Sequence, residues 1–126
     1  MWICLNRAFL SIVTPAANQP DSKMLLVRAR RKGDIESVFP GAKVERTPSR
    51  DYLFRALIAR EEVARALSDE VFNIDYNNFK NSVRSRPLHD AFSRIWSIMA
   101  GLQPTAPYSG GRRRRNRDLF DLREGY

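Results

Sequence analysis

An α+β fold, with a small and mostly antiparallel sheet of three to four strands and helices packed on one face, is what this sequence predicts. Three features point to it. Short runs rich in Ile, Val, Phe, Leu and Trp crowd the N-terminal part of the chain, punctuation by Pro, Gly and Asn separates them, and apolar residues at helical spacing take over only after residue 60. The resulting order, β-β-β-α-β-α-α with a further helical turn, suits a sheet covered by helices. Its other face would be left to solvent or to a partner.

Residues 2–5 and 9–13 flank Asn6-Arg7-Ala8 and read as a β-hairpin, Asn6 being a residue that tolerates positive φ; a single longer strand is the competing reading. Residues 14–22 are polar with two prolines and read as a loop. Lys23–Arg30 follows as a strand. Its Met24-Leu25-Leu26-Val27 run is continuous enough for a central strand buried over much of both faces.

Gly33 and Asp34 open a short helix over Ile35–Phe39, with Asp34 as the N-cap whose carboxylate accepts the free N–H groups of the first turn, and Pro40-Gly41 ends it. Val44–Thr47 begins a further strand. Residues 47–51 form a bulge or loop, and Asp51–Ile58 is the stronger β piece.

Glu61–Ile74 is helical, with Val63, Leu67, Val71 and Ile74 on one face and Glu61 and Glu62 in the first turn, where the helix dipole favours acids. A helical turn restarts at Asp75 and runs through Phe79 towards Val83. Pro87 suits the first turn of a last helix, Leu88–Leu102, whose stripe is Leu88, Ala91, Phe92, Ile95, Met99 and Leu102, with Trp96 beside it and partly buried.

The chain divides into a single α+β domain over residues 1–103 and a flexible arginine-rich tail over 104–126. A domain of this size buries about two thirds of the surface its unfolded chain exposes, which is enough to fold without staples. Cys4 is the single cysteine, so an internal disulfide is excluded. The residues ahead of the first apolar run carry no basic segment, Asn6 and Arg7 interrupt that run, and no stretch approaches the ~18 apolar residues of a membrane helix. The expectation is a cytoplasmic protein that does not meet a membrane.

Charge is the strongest compositional feature. Of 22 basic residues 18 are arginine, with 16 Lys/Arg against 11 acids (+5) in residues 1–103 and six against three (+3) in the tail, so the positive character is not confined to one end. Arginine serves planar bidentate contact with phosphate, although a GC-rich genome also raises its frequency. A positive field of this kind favours nucleic acid, an acidic protein face or a membrane surface.

Three stretches are candidates for binding. Arg28, Arg30, Arg31 and Lys32 with Tyr52, Phe54 and Arg55 would make an open basic sheet face with aromatics for stacking; alternatively Phe54 and Tyr52 are core and the arginines a solvated face. The segment 76–86, with Lys80, Arg84 and Arg86, offers a second basic, amide-rich surface or an ordinary connecting helix. The tract Arg112, Arg113, Arg114, Arg115 and Arg117 would engage phosphates by counterion release, or else is a solvated tail.

Chemistry finds little footing. His89 next to Asp90 has no second histidine or cysteine partner for a metal, and no glycine-rich phosphate loop or nucleophile elbow accompanies it. Cys4 in an apolar strand reads as a small core hydrophobe. No catalytic residue, metal or cofactor is expected.

The segments MWICLNRAFLSIV, LLVRARRKGDIESVFPGAKV, DYLFRA and IDYNNFKNSV followed by LHDAFSRIW resemble a family of small uncharacterised accessory proteins of proteobacterial and phage mobile elements. The resemblance covers residues 1–103 and brings no activity and no functional residue with it. It implies a bacterial or phage accessory protein encoded amid defence and counter-defence functions, a setting that includes anti-CRISPR-like inhibitors. Two readings follow. One is a non-catalytic module that engages nucleic acid or a bacterial nucleoprotein complex through its arginines. The other is an inhibitor that binds a bacterial nuclease or immune complex by protein–protein contact.

Overall fold

In the computed structural model, which describes residues 1–15 and 23–109, the expected hairpin forms from β1 (Trp2–Leu5) and β2 (Ala8–Val13), with Leu5 opposite Ala8. The turn through Asn6 and Arg7 uses no positive φ, so the tolerance of Asn6 for that region is not what closes it. The strand β3 (Met24–Ala29) pairs antiparallel with β2. A second hairpin follows from β4 (Glu45–Arg46) and β5 (Phe54–Ala59), and β5 pairs antiparallel with β3. The sheet therefore has five strands in the order β1-β2-β3-β5-β4, one more than expected, because the two-residue β4 is paired.

Strand alternation separates the sheet into two faces. Leu10 and Ile12 of β2, Val27 and Ala29 of β3, and Ala56 and Ile58 of β5 are buried on one face. Helix α1 (Asp34–Val38) adds Ile35 with Phe39 just beyond its end, and α2 (Arg60–Phe72) adds Val63, to make the main core. Only the first half of α2 reaches this core through Val63, Ala66 and Leu67. The helix then runs past the sheet, so Val71 and Ile74 are exposed rather than buried as their spacing predicts.

Asp34 is the first residue of α1, not its cap. Gly33 holds the cap position at φ 93°, where a residue without Cβ is at ease. The Asp34 carboxylate is instead buried, accepting from Phe9 N–H at 3.1 Å and from Arg31 Nε and Nη2 at 3.2 and 3.0 Å. It ties the start of α1 to β2 and to the end of β3. A buried carboxylate without such partners would be untenable.

A second, smaller cluster forms where α3 (Phe79–Ser82) and α4 (Arg86–Ala100) meet. Val83, Leu88 and Phe92 are buried there, and Phe9 packs against them from the sheet face opposite the main core. Arg31 Nη1 donates to Ser85 Oγ at 3.0 Å and pins the approach to α4. Pro87 lies in the first turn of α4, as expected. The stripe on α4 is real but is covered only at Leu88 and Phe92; Ile95, Met99 and, just past the helix, Leu102 are exposed, while Trp96, 41% exposed, is partly buried, as expected. Among the described residues no helix is long and apolar enough to cross a membrane. The segment 16–22 and the arginine tract from Arg112 to Arg117 lie outside the described residues.

Candidate nucleic-acid interface

The face of the sheet turned away from the main core carries one continuous cross-strand row. By register, Trp2 of β1 lies opposite Ser11 of β2, Ser11 opposite Arg28 of β3, Arg28 opposite Arg55 of β5, and Arg55 opposite Glu45 of β4. Residues directly opposite in a ladder share a face. Arg28 and Arg55 therefore stand side by side in the middle of the sheet, on the side that α1 and α2 do not cover.

The loop from Thr47 to Leu53 folds over this pair. Thr47 N–H donates to Leu53 O at 2.6 Å, and Thr47 Oγ1 donates to Tyr52 O at 2.8 Å, which closes the loop at its base. Asp51 and Tyr52 are thereby held above the strands. Asp51 Oδ1 accepts from Arg55 Nη2 at 2.6 Å and from Tyr52 N–H at 3.0 Å, and its Oδ2 lies 3.8 Å from Arg28 Nη1. Arg30 Nη1 donates to the main-chain O of Asp51 at 2.9 Å. Arg28 Nη2 donates to the buried Ser11 Oγ at 2.7 Å.

Tyr52 is the centre of the group. Its ring is buried, and the guanidinium carbons of Arg28 and Arg30 lie 4.5 and 4.3 Å from its centroid. Contacts of this kind contribute about 0.5–2 kcal/mol each. The ring is thus a seat for guanidiniums rather than a platform for a base, so of the two readings the sequence offered, the core one fits its burial. Phe54, the other aromatic considered for stacking, packs against the main core.

The electrostatics are unbalanced. The Asp51 carboxylate pairs with Arg28 and Arg55 while Arg30 reaches only its main-chain O; with Glu45, which lies opposite Arg55 in register but forms no ion pair with it, three guanidiniums stand against two carboxylates and one positive charge is left over. The Arg28 and Arg55 side chains retain only 17% and 15% of their exposure, and the Nε–H of each is buried without an acceptor. A buried donor left unpaired costs about 1–3 kcal/mol, so the arrangement is not the one that maximal stability alone would select. Asp51, by contrast, is 63% exposed and stands at the rim.

The other expected binding residues are distributed differently. Arg31 is committed to Asp34 and Ser85. Lys32, Arg84 and Arg86 are exposed near that junction, with Arg86 Nε 3.9 Å from Asp90 in a solvent-facing pair. Lys80 is turned to α4, its Nζ 4.3 Å from the Trp96 ring centroid. The structure thus unites Arg28, Arg30, Tyr52 and Arg55 and leaves Lys80 apart from them.

Sequence reasoning missed two members of this face. Trp2 was legible only as an apolar hairpin residue, yet it is 75% exposed and touches Phe9 edge-on, with ring centroids 6.2 Å apart at 66°. Asp51 was legible only as a loop residue, although three arginines converge on it.

Elsewhere, a cleft of about 440 Å³ lies between the first hairpin and the end of α2, lined among others by Ile3, Leu5, Leu67, Val71 and Ile74. Glu70 at its edge is tied up in an ion pair with Arg7, and hydrogen bonding to Glu70 raises the already high Arg7 pKa. Cys4 also lines it and is exposed, which corrects its reading as a core residue; partial burial nevertheless pushes its thiol pKa up. His89 Nδ1 lies 3.6 Å from Asp90 Oδ1 on the surface of α4, and no group of three potential metal ligands occurs among the described residues. Comparison with family models, with curated proteins and with solved structures found no match.

Proposed function

We propose that this chain is a non-catalytic module that binds nucleic acid, or a nucleoprotein complex, by phosphate contact at the arginine face of its sheet. The observation that supports it is the convergence of Arg28, Arg30 and Arg55 around Tyr52 with a single carboxylate, Asp51, ion-paired among them. Guanidiniums buried along their stems and fixed by a ring and by main-chain and side-chain oxygens have lost their rotamer freedom before any ligand arrives. They therefore bind phosphate at a smaller entropic cost than free surface arginines do. The exposed Lys32, Arg84 and Arg86 would add to the long-range field, and the tract Arg112, Arg113, Arg114, Arg115 and Arg117 would add non-specific phosphate contacts. A cytoplasmic site of action belongs to this reading.

A salt series tests it. Full-length protein should retard an oligonucleotide at low salt and release it steeply as salt rises. Replacing both Arg28 and Arg55 by Ala should weaken low-salt binding by roughly tenfold or more and flatten the log–log salt slope by about 1.4 for a single strand, two phosphate contacts being lost. Absence of binding at low salt, or binding indifferent to salt, sinks the proposal.

The exposed apolar residues Ile95, Ile98 and Met99 of α4, with Leu102 just beyond it, favour a second reading, an anti-CRISPR-like inhibitor that docks on a bacterial nuclease or immune complex. Such binding would persist through nuclease treatment and high salt, and would be lost on Met99→Asp while the Arg28/Arg55 double substitution left it intact.

A further inference from the structure

Trp2 is the largest exposed apolar side chain on the sheet face that carries the arginines. We propose that the ligand of this face is single-stranded nucleic acid and that Trp2 is the platform on which one of its bases stacks. The inference rests on the nucleic-acid reading above and specifies the form of the ligand.

The register supplies the geometry. Trp2, Ser11, Arg28 and Arg55 lie in one row across β1, β2, β3 and β5, so neighbouring strands place Arg28 about 10 Å and Arg55 about 14 Å from Trp2 along the sheet. The row runs perpendicular to the strands, with an apolar ring at one end, two fixed cations in the middle and Glu45 beyond them at the far edge. A chain that alternates flat apolar bases with anionic phosphates matches that sequence of groups. Leu57, two residues along β5 from Arg55 and on the same face, is exposed as well and adds an apolar spot at the arginine end of the row.

Trp2 is also positioned rather than loose. Its edge-on contact with Phe9 is backed by the buried Val83, Leu88 and Phe92 of the second cluster. The indole is therefore held at one side and open over most of its surface. Leaving so much aromatic area in water forgoes a large share of its burial energy. Stacking with a base recovers it.

Charge and shape together select the occupant. Arg28, Arg30 and Arg55 outnumber the two carboxylates of this face, Asp51 and Glu45, and the surplus positive charge calls for an anion. A duplex presents phosphates but keeps its bases stacked internally, out of reach of a ring lying on a sheet. Only an unpaired base offers Trp2 a free π-face while its own backbone reaches the arginines.

The experiment uses the full chain carrying Trp96→Phe, so that tryptophan emission reports Trp2 alone. The probes are an oligothymidylate and a duplex of the same length. Oligothymidylate should quench Trp2, and Trp2→Leu should weaken its binding roughly 5- to 150-fold, the range expected for loss of one stacked base. Trp2→Phe should retain most of the affinity, which separates stacking from a folding defect, and duplex binding should change little with any of the three residues. The stacking role is overturned if Trp2→Leu binds oligothymidylate as well as the parent does, or if it weakens duplex and single strand alike. If the Arg28/Arg55 double substitution still weakens binding in that case, the phosphate-binding reading stands without Trp2. Absence of binding to either probe at low salt removes both.

Discussion

The two faces of the sheet are built from the same strands and differ in almost every physical respect. One face is aliphatic and closed: Leu10, Ile12, Val27, Ala29, Ala56 and Ile58 meet Ile35, Phe39 and Val63 with no polar side chain among them. The other alternates with it residue by residue and carries Trp2, Phe9, Ser11, Arg28, Arg55 and Leu57. It is covered at Phe9 by α3 and α4 and at Arg28 and Arg55 by the Thr47–Leu53 loop, and it stays open at Trp2 and Leu57. The closed face gains stability from burial. The open face holds unpaired donors and an exposed indole, features that detract from stability.

If this division holds, substitutions on the closed face should change folding and those on the open face should change binding. The largest effect belongs to the closed face. Leu10 is fully buried, and Leu10→Ala should destabilise the domain by about 2–5 kcal/mol through lost transfer energy and the cavity left behind. Urea unfolding measures this directly. A loss below about 1 kcal/mol would mean the site collapses freely and the core is looser than its burial implies. Oligonucleotide affinity of the folded fraction should stay unchanged.

The next effect is an increase in binding. Under the proposed reading a phosphate would have to displace Asp51, the carboxylate ion-paired with Arg28 and Arg55, and Asp51 is exposed enough for that. Asp51→Asn keeps the acceptor for the Tyr52 N–H and removes the charge. Low-salt affinity should rise about threefold to tenfold, in line with one surface charge pair no longer opposing the ligand. A fall in affinity would show that Asp51 serves chiefly to position the arginines, and the picture of a carboxylate holding the ligand's place would be abandoned.

Much of the architecture was legible because it depends on local rules. Period-two alternation, the proline and glycine stops, and the helical stripes of α2 and α4 located every element to within a few residues. What local rules could not reveal was where each stripe runs out of partner. Val71 and Ile74 continue the α2 stripe and Met99 and Leu102 the α4 stripe, yet both helices overrun the surface they pack on. Asp34 obeys the composition rule for a cap, but its carboxylate is claimed by Arg31 and by the Phe9 N–H across the sheet.

The site divides in the same way. Arg28, Arg30 and Arg55 were legible as a basic group from their strand positions. Tyr52 was left between a stacking platform and the core, since its burial depends on a loop closed by Thr47 and on guanidiniums distant in sequence. Trp2 was invisible as a site residue because its facing follows from the register of the first hairpin. The composition of an apolar strand does not carry that register.

The smallest expected effect tests how open the open face is at its edge. Cys4 pairs with Phe9 in the register and so shares the face of Trp2; it is exposed, yet desolvation by its neighbours raises its pKa. Burial penalises the charged form, so a raised pKa means less thiolate at neutral pH, and the thiolate is the reactive species. Labelling of Cys4 by a thiol reagent at pH 7 should therefore be slower than that of an unstructured cysteine peptide. Its rate should climb with pH along a curve displaced upward from the peptide's. Denaturant should bring the two curves together, because the cause is the folded surroundings and not the residue. Coincident curves in the native protein would mean that water reaches the edge strand freely. The support that Phe9 lends Trp2 from the neighbouring strand would then be weaker than the ring geometry indicates.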